Sequence, residues 1–270
     1  MRSRHAGARS ARPLNCGVRC DRRLARRYAI WDFDGTLAER RGMWSGALLE
    51  ALETERPGHG VIPEVVRPYL QTGFPWHEPH NTRDVQVSAE QWWQTLYPVF
   101  IRAYCEGLQL EHAQAHRLCK AVRDAYVHPK NWVLFEDTLP ALKTLAAAGW
   151  KHVILSNHVP ELGQIVEALG IAPHFEAIFN SAETGVEKPH PRAFRNVLAS
   201  LGQVESAWMI GDSVTADVKG ANAAGIQAAL VRRPHPDATI YFETLHEMAA
   251  FLIAPNSSMQ PTGQKRPAAD

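Results

Sequence analysis

The hydrophobic and polar positions follow two rhythms along this chain. From about residue 134 onward, short apolar runs alternate with segments whose apolar residues recur at helical spacing. The short runs are HVILS (152–156), FEAIFN (175–180), AWMIG (207–211) and IQAALV (226–231). Their β-branched and aromatic content predicts strands. Between or beside them lie DTLPALKTLAAAGW, VPELGQIVEALG, PRAFRNVLASLG and VTADVKGANAAG, each with a glycine at or next to its end, the mark of a helix stop. Asp137 is the expected N-cap of the first helix, Pro160 stands near the first turn of the second, and Pro191 opens the third. Strands alternating with helices of this length imply right-handed βαβ units on a parallel sheet. YAIWDF (28–33) adds one strand more. The expected fold class is α/β: a Rossmann-like doubly wound parallel sheet of about five core strands, with helices on both faces.

Residues 39–133 break that rhythm. No clear strand is visible there, whereas ALLEALETE, PEVVRPYL, AEQWWQTLYPVFIRAYC and HAQAHRLCKAVRDAY carry apolar positions at helical spacing. Joints rich in proline and glycine (57–60 and 72–81) interrupt them. This is the pattern of a mostly helical insertion. The expected division is a core of 28–38 plus 134–253, the insertion at 39–133, an Arg-rich extension at 1–27 and a polar tail at 254–270. Trp92, Trp93, Tyr97, Phe100 and Tyr104 are expected to form the insertion's own core.

Composition narrows the function classes. The chain has 270 residues, 45% of them hydrophobic, which is ample for a sizeable core. Its net charge of +1 hides an asymmetry: residues 1–27 hold nine arginines and one acid, so the body is acidic. An acidic body argues against nucleic acid as a partner. The extension is Arg-rich and acid-poor, as transit peptides are, but lacks apolar periodicity and reads as a disordered arm. No apolar run approaches the ~20 residues of a membrane span. Cys16, Cys20, Cys105 and Cys119 are scattered, so neither a disulfide framework nor a zinc site is expected, and a reducing, cytoplasmic setting follows.

The candidate chemistry sits at the strand ends, where open parallel sheets bind ligands. The first strand delivers Asp32 and Asp34 and the second delivers Ser156 and Asn157; GVEKPHP, with Lys188, follows the third, and the fourth delivers GDSVTAD, with Asp212 and Asp217. Each piece alone has a structural reading as a turn, a cap or a stiff connection. Together they place four carboxylates at one edge, which repel unless something positive joins them. Oxygen ligands without a His or Cys cluster suit Mg²⁺. A phosphate dianion would fit between the metal, Lys188, the Ser156 hydroxyl and backbone amides.

DFDGT, then Ser-Asn, then Lys-Pro, then GDSVTAD, in that order, resembles the haloacid dehalogenase (HAD) superfamily of hydrolases. The insertion after the first motif resembles the helical cap of its phosphoglycolate-phosphatase-like branch. The resemblance implies a Mg²⁺-dependent phosphatase acting on a small phosphorylated metabolite. Asp32 would be the nucleophile that forms an aspartyl-phosphate, and Asp34 the acid for the leaving alcohol and then the base for water. Asp32, the Asp34 carbonyl and Asp212 would hold Mg²⁺, with Asp217 in support. Ser156 and the Asn157 amide would bind phosphate, and Lys188 would screen charge. Members that cleave carbon–halogen bonds lack an aspartate at the place of Asp34, so dehalogenation is not expected.

Substrate choice is expected in the insertion. Trp76 and His77, in the loop GFPWHEPHN (73–81), could stack on or hydrogen-bond to a leaving group. Arg40, Arg41 and Arg67 could read a second anionic group; the alternative is that Trp76 packs between insertion and core and the arginines are solvated. His158 is a candidate substrate contact, while His190 is expected to order its loop. Two alternatives stay open: a sugar phosphomutase with the same first motif, and a non-catalytic binder of a phosphorylated ligand.

Overall fold

The computed structural model describes residues 26–80, 82 and 87–254. The expected extension and tail therefore fall outside the described residues, except for Arg26, Arg27 and Ala254. Arg26 and Arg27 belong to the fold, because they open the first strand.

Six parallel strands form the main sheet: β1 (Arg26–Trp31), β4 (Trp150–Ser156), β5 (Ala177–Asn180), β6 (Val204–Gly211), β7 (Gln227–Val231) and β8 (Tyr241–Phe242). Their order is β5-β4-β1-β6-β7-β8. Every pairing is parallel. The sequence implied about five strands; β8 is the addition, two residues long and too short to carry a period.

The alternation along β1 explains its central place. Tyr28 and Ile30 pack with Val153, Leu155 and Phe194 on one face. Ala29 and Trp31 pack with Leu142, Ile154 and Leu145 on the other. A strand stretch covered on both faces must be apolar throughout, and Tyr28–Trp31 is, whereas Arg26, exposed, and Arg27, half-buried, form its start. The chain runs outward from β1 to β4 and β5, then crosses back to β6 on the other side of β1. That reversal opens a crevice beyond the carboxyl ends of β1, β4 and β6.

Residues 39–133 are largely helical, as expected. The main helices are Met43–Glu55, Ala89–Gln94, Tyr97–Arg102 and His112–Val127. The expectation of no strand there needs correction. β2 (Ala38–Arg40) pairs antiparallel with β3 (Trp132–Leu134), so a short ribbon joins the two ends of the insertion. Three-residue strands were hidden because they are too brief to show alternation. Trp92, Trp93, Phe100 and Tyr104 are buried in the insertion, as expected. Among the described residues, no helix is long and apolar enough to cross a membrane.

Two further expectations change. Asp137 does not cap its own helix (Thr138–Ala147) by a side-chain hydrogen bond. It pairs with Arg232 at 2.7 Å and accepts the Leu245 N–H at 2.8 Å, so it serves the start of the helix Leu245–Ile253. The helix expected over VTADVKGANAAG is a wide π-helical turn, Val214–Lys219, followed by a short helix, Gly220–Ala223. Cys105 and Cys119 are free thiols, and Cys16 and Cys20 lie outside the described residues.

Candidate active site

The strand ends converge as the sequence implied, but β1 stops at Trp31 and both aspartates lie just beyond it. The Asp32 N–H still donates to the Ile210 carbonyl of β6 at 2.9 Å, which fixes the backbone at the point of departure. A tight turn follows. Gly35 N–H donates to the Ala38 carbonyl at 2.9 Å, and Gly35 has φ +73°. A Cβ there would lie 2.4 Å from Asp212 Oδ2, so glycine is required both by the backbone and by the close approach of the carboxylate. Gly211 is needed for the second reason alone: its Cβ would lie 2.1 Å from Asp217 Oδ2.

Lys188 stands at the centre of the cluster, 2% exposed. Its Nζ donates to Asp32 Oδ1 at 2.8 Å and to Asp217 Oδ1 at 2.7 Å. Ser156 Oγ donates to the same Asp32 oxygen at 2.8 Å. The Ser213 N–H donates to the other oxygen of Asp217 at 3.0 Å. Burial alone would lower the Lys188 pKa, but the charges of Asp217 and Asp32 outweigh it and hold the ammonium above its ordinary value. Lys188 is therefore a fixed positive charge.

The Asn157 side chain has a local task beyond the expected phosphate contact of its amide. Its side-chain amide donates to the Lys188 carbonyl at 2.9 Å, and its oxygen accepts the Lys188 N–H at 2.7 Å. This two-way clamp sets where the lysine stem begins. The side-chain amide is thus already engaged with backbone rather than free for a phosphate.

Asp32, Asp212 and Asp217 each bring a carboxylate oxygen within 4.8 Å of the others. Burial, followed by the charges of Asp32 and Asp217, pushes the Asp212 pKa up to about 7. Three crowded carboxylates of this kind match a hard divalent cation, whose charge would offset the repulsion that Lys188 and Arg233, its Nε 3.6 Å from Asp212 Oδ2, only partly relieve.

Asp34 lines a cavity of about 600 Å³, which Lys188, Asn157 and His158 also line. His158 Nε2 lies 3.5 Å from Asp34 Oδ1. Neither atom has a hydrogen-bond partner among the described residues, although both are buried. The Tyr126 ring lies in the same wall, and burial together with the Asp34 charge holds its phenol well above the ordinary value. A carboxylate in this position can pass a proton to a group entering the cavity.

Trp76 and His77 both line the cavity. Trp76 is also packed, with its ring 4.8 Å from Phe74 and 5.9 Å from Trp44. His190 orders its loop as expected, with its ring accepting the Arg192 N–H at 3.1 Å. Neither Arg40 nor Arg67 is placed to read an anion in the cavity. Arg40 is buried and donates to Glu50 and to the carbonyls of Ala125 and Tyr126, so it ties helices together instead of reading an anion. Arg67 is exposed and pairs with Glu64. Arg41 is exposed and is not part of the cavity wall.

The sequence reading missed Trp44 and Tyr126 as cavity walls, because helical spacing marks both only as apolar-face residues. It also missed Arg232, which donates twice to the Thr36 carbonyl, at 2.8 and 3.0 Å, and braces the turn after Asp34. A φ of +68° at this arginine leaves no trace in the sequence.

The haloacid dehalogenase-like hydrolase family matches residues 27–225, most of the chain, including Asp32, Asp34, Ser156, Asn157, Lys188, Asp212 and Asp217. The chain belongs to this family. Haloacid dehalogenase-like hydrolase domain-containing protein 3 of Bos taurus is 33% identical over 153 residues, 56% of this chain and 59% of that protein. The phosphoserine phosphatase of Thermus thermophilus is 31% identical over 134 residues, 49% of this chain and 54% of that enzyme. The chain thus spans somewhat over half the length of these two relatives. Among solved structures, the magnesium-bound HAD-hydrolase YfnB of Bacillus subtilis superposes with a TM-score of 0.62 at 20% identity, covering 84% of this chain and 99% of that one. That likeness concerns the fold.

Proposed function

We propose that the protein is a Mg²⁺-dependent phosphatase that hydrolyses a small phosphorylated metabolite through an aspartyl-phosphate on Asp32. The observation that carries this reading is the division between the two aspartates. Asp32 lies against Lys188 and Ser156, whereas Asp34 lines the adjoining cavity with a buried oxygen that has no hydrogen-bond partner among the described residues.

The steps follow from that division. An Asp32 carboxylate oxygen attacks phosphorus, and the bond from phosphorus to the substrate alcohol breaks. Asp34 gives its proton to the departing alkoxide. Asp34, now ionised, takes a proton from water as the water oxygen attacks the phosphoenzyme. The bond from phosphorus to Asp32 breaks, releasing inorganic phosphate and restoring the carboxylate. Lys188 keeps its charge beside Asp32 throughout, which lowers the repulsion between nucleophile and phosphate. The Ser156 hydroxyl, now turned to Asp32, is within reach of a phosphate oxygen bound there. Asn157 keeps Lys188 in place.

Asp32, the Asp34 carbonyl and Asp212 would hold Mg²⁺, with Asp217 anchoring Lys188 behind them. Bound Mg²⁺ supplies charge neutralisation on the phosphate oxygens. The helical insertion, 39–133, would act as a cap over the strand ends, since it contributes Trp44, Trp76 and Tyr126 to the cavity wall. The presence of Asp34 at the cavity also favours phosphoryl transfer over attack on carbon, which needs no proton donor for a halide.

The reading is tested by phosphate release from a panel of sugar phosphates, nucleotides, phosphoglycolate and phosphorylated amino acids. Turnover should require Mg²⁺, stop with a chelator and be absent in Asp32→Asn. Turnover of the panel by folded Asp32→Asn would refute it.

A further inference from the structure

Resting on that phosphatase reading, we propose that the alcohol part of the substrate carries an uncharged aromatic ring and no second anionic group.

The cavity beyond Asp34 has the size of a small-molecule pocket, about 600 Å³. Its far wall is aromatic. Tyr126 and Trp44 stack with centroids 3.9 Å apart and planes 14° apart. Trp44 is followed by Trp76 at 5.9 Å and 29°, and Phe74 backs Trp76 at 4.8 Å and 11°. Trp44 and Trp76 are only half-buried, so ring surface is left facing the cavity. These rings are already held in place by one another, so a planar guest could stack on them without ordering a mobile side chain.

The charges point the same way. Among the described residues that line the cavity, Lys188 is the one lysine or arginine, and it is committed to Asp32 and Asp217. The arginines that could have read a second anion are tied elsewhere (Arg40, Arg67) or lie outside the wall (Arg41). Of the histidines in the wall, His77 and His80 are exposed, His158 Nε2 lies 3.5 Å from Asp34 Oδ1, and His77 Nδ1 accepts the Phe74 N–H at 3.3 Å. The His77 Nδ1 is thus used as an acceptor and offers no N–H to an anion. A carboxylate or a second phosphate placed among Trp44, Trp76 and Tyr126 would lose water without gaining a lysine or arginine from the described wall. A neutral ring loses nothing there and gains stacking.

The test is steady-state phosphate release, with Mg²⁺, from benzyl phosphate, n-butyl phosphate and phosphoglycolate. The first two have leaving groups of similar basicity, so their ratio reports the ring. The kcat/KM for benzyl phosphate should exceed that for n-butyl phosphate by about tenfold, the size of a good aromatic contact. Phosphoglycolate should be poorer than both. Trp76→Leu should lower the benzyl-to-butyl ratio by roughly fivefold, and Trp76→Phe should keep most of it. A wild-type ratio near one, or a preference for phosphoglycolate, would overturn this inference while phosphate release left the phosphatase reading standing. Release from none of the three, nor from the wider metabolite panel, would overturn both.

Discussion

Arg123 of the helical insertion grips Glu161 of the core: its Nη2 and Nε lie 2.7 and 3.0 Å from Glu161 Oε1. Trp93, also from the insertion, donates its indole N–H to the other oxygen of Glu161 at 3.0 Å. Glu161 is 6% exposed and precedes the helix that follows β4, so one buried carboxylate fastens the insertion beside the Ser156–His158 loop. A double-mutant cycle of Arg123→Ala and Glu161→Gln should give a coupling of about 1–3 kcal/mol by urea denaturation. Either change should also lower kcat/KM, because the aromatic wall is carried by the insertion. A coupling near zero would show that the grip is not held in solution.

Lys188 supports both stability and the site. Lys188→Ala leaves Asp32 and Asp217 without the charge that each touches within 2.8 Å. The expected loss of stability is about 3–5 kcal/mol, as for removing one member of a buried ion pair. Phosphate release should fall by at least ~10²-fold, as when a charge-stabilising donor is removed. Saturating Mg²⁺ should return part of the stability and little of the rate. Denaturation with and without Mg²⁺, beside turnover, checks this.

Gly35→Ala separates the metal site from the fold. The new methyl meets Asp212 Oδ2, and the residue must keep φ +73°. A cost of about 1–3 kcal/mol is expected from the backbone. The larger effect should be on Mg²⁺: displacement of Asp212 raises the Mg²⁺ concentration needed for half-maximal activity, read by titration. An unchanged Mg²⁺ requirement would contradict the placement of Asp212 at the metal.

His152 ties stability to pH. The Trp31 indole N–H donates to its Nδ1 at 3.0 Å, and its Nε2 lies 3.0 Å from the Leu142 carbonyl. That pairing fits only the neutral ring. Burial lowers its pKa to about 4 from the ordinary 6.5. The unfolded chain therefore binds the extra proton first as pH falls. Stability is complete above about pH 6.5 and declines toward pH 4, by about 3 kcal/mol in all. Urea denaturation across this range should show that His152→Gln lacks this part of the decline.

What was legible in the sequence depended on how far each signal reaches. Asp32, Ser156, Lys188, Asp212 and Asp217 stood out because each follows an apolar run or a rigid turn, and the fold brings those ends to one place. The chain order of the strands was readable from runs of four or more apolar residues. β2, β3 and β8 were not, because two or three residues show no period. The neighbours of Asp137 mark it as a cap, whereas its partners Arg232 and Leu245 are distant in sequence. Tyr126 and Trp44 carry the same apolar spacing as true core residues, so only the structure separates a cavity wall from a core. The Asn157–Lys188 clamp is likewise a contact between distant segments, with no local trace.

The central claim is that Asp32 carries the phosphoryl group. It is met most directly by trapping: quench the enzyme during turnover with Mg²⁺, reduce the acyl phosphate with borohydride, and map the chain by mass spectrometry. The account predicts substrate-dependent conversion of position 32 to homoserine, with no such change in Asp32→Asn and none at Asp34, Asp212 or Asp217. Continued phosphate release by Asp32→Asn at the wild-type rate, or a reduced acyl phosphate mapped to another residue, would contradict it.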